Sequence, residues 1–190
     1  MKRLMILGAL MIVGYLLTSC EPSKRTEDGA EQGGVNTDMA LENSDEKKDA
    51  DFVVNTMEAS YAEIEIAKLA LERSADEQVK SLAKKLEDDH NAIIGELRTY
   101  ADEKGIVVPI AETDQQRKEL NQLAGKDARN FDQELCEVLM DNHKEAVNEF
   151  EQKLDKTEDP ELKNWISKTL PTLKSHVEML KAHDEKEKEG

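Results

Sequence analysis

The stretch SADEQVKSLAKKLEDDHNAIIGELRTYADEKG, residues 74–105, decides the fold, because both ends of one long helix can be identified in it. Ser74 to Glu77 has the form of a capping box, in which two side chains satisfy the free amides of a helix start. Apolar residues then recur every three or four positions, at Val79, Leu82, Leu86, Ile93, Leu97 and Ala101. Gly105 is a typical helix terminator, and Pro109 lies just beyond it. The stretch therefore predicts one amphipathic helix that stops at Gly105.

Three further stretches have the same helical period. The first runs from about Ala50 to Arg73, with an apolar face of Val53, Met57, Ile64, Ala67 and Leu71. The third long helix runs from about Ala128 to Leu154, with Phe131, Leu135, Leu139, Val147 and Phe150 on its apolar face. The fourth has Asp159 as N-cap and Pro160 at its first position, and carries Leu162, Trp165, Ile166, Leu173, Val177 and Leu180. We expect Pro171 to bend this last helix, because proline removes a backbone hydrogen bond.

The connections indicate how these helices pair. The turns after the first and third helices are short, so each of these two pairs should form an antiparallel hairpin. The connection over residues 105–127 is long and contains a predicted short helix at 114–124. No stretch alternates with the period of two that is typical of strands. The pattern predicts an all-α fold, a ferritin-like four-helix bundle with one long crossover that contains a short helix.

The N-terminal residues predict export and lipidation. Lys2 and Arg3 precede an apolar run of 14 residues, Leu4 to Leu17, which is too short to span about 30 Å of hydrocarbon and has the length of a secretory h-region. It ends in Leu17-Thr18-Ser19-Cys20, which resembles the bacterial lipobox. We expect residues 1–19 to be a cleaved lipoprotein signal peptide. Cys20 would then carry acyl chains, and these would hold the protein on a membrane.

The composition divides the remaining chain into a tether and a domain. Residues 20–48 are acidic and almost free of apolar side chains, which predicts a disordered tether, and residues 49–186 form the predicted helical domain. Cleavage of the signal peptide would take the formal net charge from −16 to −18. Such a surface repels nucleic acid and anionic lipid, so neither is expected as an electrostatic partner. Lipidation of Cys20 leaves Cys136 without a cysteine partner, so packing must hold the domain together.

Residues 52–109, 131–152 and 159–180 together resemble the bacterial family named domain of unknown function 4142. That family typically has an Ala-Glu pair in its first helix, an Asp-His pair in its second and third, and a Leu-Pro-x-Leu-x-x-His stretch in its fourth. These motifs correspond to Ala62-Glu63, Asp89-His90 and the stretch Leu170 to His176. In the third helix Asn142 precedes His143, where the family has aspartate. The resemblance implies a ferritin-like fold and a location in the cell envelope, and it brings no established activity.

Three histidines are predicted to point into the core. His90, His143 and His176 each lie three or four residues from apolar positions on their own helices. Counting about 1.5 Å per residue from the turns places these histidines and Glu63 near the middle of the bundle. Inward polar residues at one level can hold zinc, copper, iron or nickel. They can equally cross-link a metal-free core by hydrogen bonds to Glu63, Asp89, Asn142 or Thr169.

Other metal sites receive less support from the sequence. A ferritin-like di-iron centre needs two Glu-x-x-His motifs, and only Glu87-x-x-His90 fits. Cys136, Met140 and His143 share a helix face, and soft sulfur ligands suit Cu(I), although both are also ordinary core residues. His183 lies in a charged C-terminal segment and is expected to be solvated.

Two hypotheses about function remain open at this point. The first is a lipid-anchored, non-enzymatic helical protein of the cell envelope with a binding, structural or stress-related role. It would face the periplasm, and Glu21 after the lipidated cysteine favours the outer membrane. The second is a metal-binding ferritin-like protein with a site formed by Glu63, His90, His143 and His176, and with possible redox activity. No phosphate-binding loop or nucleophile motif indicates an enzyme, and the first hypothesis requires no cofactor.

Overall fold

The computed structural model describes residues 45–127 and 130–189, and the predicted signal peptide, Cys20 and nearly all of the tether lie outside the described residues. The described part contains five helices and no strand: α1 Asp45–Arg73, α2 Glu77–Lys104, α3 Asp114–Ala124, α4 Phe131–Lys156 and α5 Pro160–Glu189. The prediction of an all-helical fold is confirmed. None of the described helices is both long and apolar enough to cross a membrane.

Helix α1 begins at Asp45, earlier than the predicted start near Ala50, so residues 45–48 belong to a helix and not to the tether. Long-range contacts explain the difference. The carboxylate of Asp49 accepts hydrogen bonds from Thr157 Oγ1 at 2.8 Å and Lys153 Nζ at 3.1 Å. Lys153 also donates to the carbonyl of Lys48 at 2.7 Å. The first turns of α1 are therefore stabilised by the α4–α5 junction, about a hundred residues away in the chain.

Helix α2 begins two residues later than a capping box at Ser74 would require. Its N-cap is Asp76, whose carboxylate accepts from the backbone amides of Gln78 at 2.6 Å and Val79 at 3.4 Å. Ser74 instead accepts from the amide of Asp76 at 3.0 Å, so its predicted role as N-cap is wrong. The predicted end is confirmed, since Gly105 adopts a left-handed conformation with φ of 68°.

The four long helices run antiparallel to their neighbours. Helix α1 packs along α2, and α4 packs along α5, as the short turns predicted. Lys104 at the end of α2 contacts Asp159 at the start of α5 at 2.6 Å, and Lys186 near the end of α5 donates to Gln78 at the start of α2. Helix α3 packs against α1 and α4. Arg73 donates to three carbonyl groups at the end of α3, those of Leu123, Ala124 and Lys126.

The core consists of two apolar clusters with a polar layer between them. On α2, Leu86 belongs to one apolar cluster and Ile93 to the other. The same change of cluster occurs on α4 between Leu139 and Phe150, and on α5 between Leu173 and Leu180. The predicted apolar faces are buried except for three residues that are only partly buried, Leu71, Val147 and Trp165. His90 on α2, His143 on α4 and His176 on α5 each lie at the boundary between the two clusters.

Helix α5 is continuous through Pro171, as predicted, and the bend expected there stays a prediction. Trp165 was predicted to be a core residue, but its side chain lies at the edge of the apolar cluster. There its indole Nε1 donates to the carboxylate of Glu96 at 2.8 Å. This arrangement is usual for tryptophan, which keeps its apolar ring covered and its N–H paired with an acceptor.

Candidate metal centre

Three histidines from three helices meet in the polar layer. His90, His143 and His176 are 6%, 1% and 0% exposed. Nε2 of His90 lies 3.4 Å from Nε2 of His143, which in turn lies 3.0 Å from Nδ1 of His176. Each ring contributes one nitrogen to a set of three that all lie within 4.8 Å of one another. The prediction that these three residues point inward and meet at one level is confirmed.

The other nitrogen of each ring contacts a protein oxygen atom. Nδ1 of His143 donates to the carbonyl of Leu139, one turn earlier in α4, at 2.8 Å. Nε2 of His176 lies 2.7 Å from Oδ2 of Asp89, which also contacts Lys85. Nδ1 of His90 lies 3.3 Å from Oγ of Ser60 on α1. Hydrogen bonds of this kind orient an imidazole ring and select its tautomer.

These contacts determine which ring nitrogens carry hydrogen. A carbonyl oxygen can only accept, so His143 must carry its hydrogen on Nδ1. Asp89 is an ionised acceptor, because partial burial is outweighed by hydrogen bonds from Lys85 and His176 and by the charge of Lys85, which hold the pKa of its carboxyl below the usual value. His176 therefore carries its hydrogen on Nε2. In the neutral rings, Nε2 of His143 and Nδ1 of His176 face each other at 3.0 Å with no hydrogen between them.

Two facing lone pairs repel each other, and a cation between them removes the repulsion. Nitrogen ligands about 2.0–2.1 Å from one metal ion lie about 3.3–3.6 Å apart in tetrahedral or trigonal geometry. The observed separations of 3.0 and 3.4 Å are close to these values. Ser60 can accept a hydrogen from Nδ1 of His90, which would leave the third inner nitrogen with a free lone pair as well. All three nitrogens lie within 4.8 Å of one another, so they are close enough to serve as ligands of one transition-metal ion.

Burial keeps the imidazoles of His90 and His176 neutral and available as ligands. Burial lowers the pKa of His176 to about 4, against the opposing effect of the hydrogen bond to Asp89. Burial, followed by the charges of His143 and His176, also holds the pKa of His90 well below its usual value. Neutral imidazole is the form that binds metals.

Glu63 is adjacent to the cluster but is not aimed at the three inner nitrogens. Its side chain is buried, with Oε2 at 3.9 Å from Nδ1 of His143, which is the outer nitrogen of that ring. Oε1 accepts a hydrogen bond from Asn142 at 2.9 Å, whereas buried Oε2 has no hydrogen-bond partner. Burial raises the pKa of the Glu63 carboxyl. Asn142, the departure from the family pattern, thus supplies a donor where aspartate would place a second carboxylate.

The alternative copper set of Cys136, Met140 and His143 stays a prediction. Cys136 and Met140 pack in the apolar cluster around Leu86, and Sγ of Cys136 lies 4.0 Å from Nδ1 of His183. The prediction that His183 is solvated is wrong, since its side chain is only 10% exposed and its Nε2 lies 3.9 Å from Asp76. Helix α5 is long enough to pack its last turns against the start of α2, which the charged composition of that segment concealed.

A groove of about 720 Å³ connects the cluster with the surface between α1 and α4, with α3 along one side. Ser60, Glu63, His90 and His143 are among its lining residues. This groove could not be predicted from the sequence, because it is formed by three helices whose relative positions no local pattern specifies.

The fold and the site define a class, that of all-helical proteins with a buried cluster of three histidines between apolar core layers. The chain belongs to the family described as domain of unknown function DUF4142, whose sequence profile matches residues 35–182. No curated protein matches the chain. One similar solved structure is that of CopM in the Cu(I)-bound form, which has 20% sequence identity and a TM-score of 0.62. The match covers 73% of this chain and 96% of the CopM chain, and at this identity it shows likeness of fold alone.

Proposed function

We propose that this protein binds one copper ion in the middle of its helical core. The ligands are Nε2 of His90, Nε2 of His143 and Nδ1 of His176. The observation that carries the proposal is the 3.0 Å separation of two ring nitrogens whose hydrogens are both committed to other partners. Asp89, which contacts the outer nitrogen of His176 at 2.7 Å, supplies negative charge close to a bound cation.

The choice of copper rests on the donor set and on the fold. Three imidazoles suit copper, zinc, iron and nickel, and among divalent ions copper binds such sites most strongly. A solved structure of similar fold, CopM, has been determined in a Cu(I)-bound form. We also propose that the four long helices form a ferritin-like bundle in which the α2–α4 connection is the crossover. Bundles of this kind hold metals between facing helices.

Copper titration of the purified, metal-free protein tests the site. We expect one copper ion per chain in the wild type, and loss of that ion in His143→Ala and His176→Ala. His183→Ala is the matched control, because it removes a largely buried histidine outside the cluster and should keep the stoichiometry at one. A wild type that retains no copper, zinc, iron or nickel after separation from free metal would refute the proposed function. Equal binding by the His143→Ala variant would refute the proposed ligands.

The proposed location is the cell envelope, with the domain tethered to a membrane through a lipidated Cys20. The support is the pattern of Lys2 and Arg3, an apolar run and Leu17-Thr18-Ser19-Cys20. We propose a non-enzymatic role, with the outer membrane as the membrane partner and the periplasm as the compartment. Cys20→Ser should accumulate as unprocessed precursor in cells, detected by a shift in gel mobility and loss of labelled fatty acid. Continued lipidation of that variant would refute the anchor.

A second candidate is a helical module in which the histidines only cross-link the core. It is supported by the fact that each imidazole has a protein oxygen as a partner on its outer nitrogen. In that case a proton occupies the space between His143 and His176, and the protein purifies without metal. Thermal denaturation with and without copper separates the two candidates, because a ligand bound only by the folded state raises the melting temperature.

A further inference from the structure

The groove between α1 and α4 ends at the proposed metal site. Ser60 and Glu63 line it from α1, and His143 lines it from α4, with His90 at the same depth. Its outer wall includes Glu112, just before α3, and Glu119 on α3. The groove is therefore an opening from solvent whose lining includes two of the three proposed ligand residues, and these close its inner end with side chains only 6% and 1% exposed.

The lining of this path is strongly acidic. Eight of its lining side chains are carboxylates, whereas Lys126 is its single cationic side chain and is itself paired with Glu134. Asp141, Glu145 and Glu149 follow one another at intervals of four along α4, so they form one stripe down the wall. Burial and the neighbouring Glu145 raise the pKa of the Glu149 carboxyl. A groove with one sign of charge between apolar walls concentrates ions of the opposite sign.

Glu63 is a second and independent indication that a cation binds at the inner end of the groove. Its side chain is 6% exposed, and Oε2 is buried without a hydrogen-bond partner. A buried carboxylate oxygen left unpaired costs free energy, so such atoms are rare in folded proteins. Asn142 holds the other oxygen of the same carboxylate at 2.9 Å. The carboxylate is thus oriented, lines the groove, and has one coordination position open.

We propose that this groove is the path by which the metal cation reaches and leaves the three histidines. Oε2 of Glu63 is the last oxygen ligand that the cation meets before it is bound by His143 and His90. The proposal rests on the metal site described above and adds a role for Glu63 that differs from that of a resident ligand. Glu63 changes the rates of uptake and release, whereas the histidines set the affinity.

Two variants test the path by different means. Glu63→Gln removes the charge but keeps an oxygen that can accept from Asn142, and Ala62→Phe fills the groove with a large side chain. Glu178→Gln is the matched control, because it removes an exposed carboxylate on α5 outside the groove. Each protein is loaded with Cu(I) and mixed with an excess of a chromophoric Cu(I) chelator, and the growth of colour gives the release rate. Uptake is followed by the reverse transfer, and the ratio of rates gives the affinity.

We expect Ala62→Phe and Glu63→Gln to slow uptake and release by about tenfold at low salt, with one copper per chain retained. Rising salt should slow uptake in the wild type and in Glu63→Gln alike, because the exposed carboxylates of the groove remain in the variant. Wild-type rates in both variants, with copper bound, would overturn the path and leave the site intact. Faster release from Glu63→Gln would make Glu63 a resident ligand and would also overturn its proposed role. A wild type without copper would overturn the metal site itself.

Discussion

Acidification of the metal-free protein from pH 7 to pH 5 should destabilise it by about 2 kcal/mol through His176 alone. The side chain of His176 is fully buried, and burial lowers its pKa to about 4, compared with about 6.5 in the unfolded chain. Below pH 6.5 the unfolded chain binds a proton that the folded chain does not. The free energy of unfolding therefore contains a contribution from His176 that is complete above pH 6.5. This contribution declines by about 1.4 kcal/mol per pH unit until about pH 4.

Other titratable groups around His176 also contribute to the pH dependence of stability, so the wild type must be compared with a variant that lacks only His176. Asp89 stays ionised over this range, because its pKa is lowered. The raised pKa of Glu63 acts in the opposite direction, since its protonation in the folded state adds stability as the pH falls. His90, whose pKa is also lowered, adds to the loss of stability. These contributions remain in His176→Gln, so the difference between the two proteins isolates His176.

Urea denaturation at pH 7 and pH 5, with a chelator present, is the measurement. The wild type should lose about 2 kcal/mol more than His176→Gln between the two pH values. His183→Gln is the control and should lose as much as the wild type. Equal losses in wild type and His176→Gln would refute the reasoning that His176 is a buried neutral imidazole. A wild type that gains stability relative to His176→Gln would place a shared proton between His143 and His176.

Two further predictions concern helix α2 and the α1–α4 contact. Gly95→Ala should stabilise the protein by about 0.5–1 kcal/mol, because an added Cβ meets no atom within 4 Å and alanine favours helix. Gly105→Ala should destabilise it by about 1 kcal/mol, because φ is 68° there. Thr157→Val should cost about 1–3 kcal/mol by leaving Asp49 without its 2.8 Å donor, whereas Thr99→Val on the exposed surface should cost less than about 0.5 kcal/mol. Urea denaturation measures all four, and similar effects within either pair would contradict these assignments.

The local elements of this protein could be predicted because they depend on residues within one or two turns of each other. The short helix α3 has the predicted bounds of 114–124, and Gly105 ends α2 as predicted. Asp159 accepts from the amides of Glu161 and Leu162, which confirms it as the N-cap of α5. The spacing of apolar residues also predicted correctly that three histidines point inward. Helical periodicity specifies which face of a helix is buried, because only one face can carry the apolar stripe.

Contacts between distant segments could not be predicted in the same way. The start of α1 at Asp45 depends on Lys153 and Thr157, and no local pattern indicates those partners. The choice of Asp76 over Ser74 as N-cap depends on the backbone of the turn, since both residue types are good caps. Similarly, His183 is only 10% exposed because the end of α5 packs near Asp76.

The same division applies to the site. The amino-acid sequence by itself determined that the three histidines lie in the polar layer, because their positions on each helix follow from its period. Only the tertiary structure decided that Leu139 and Asp89 take the outer hydrogens of His143 and His176, which leaves two inner nitrogens facing each other at 3.0 Å. It also placed Glu63 on the groove side, next to an outer nitrogen. These details depend on differences of about 1 Å in how packed helices are rotated and shifted, which periodicity does not specify.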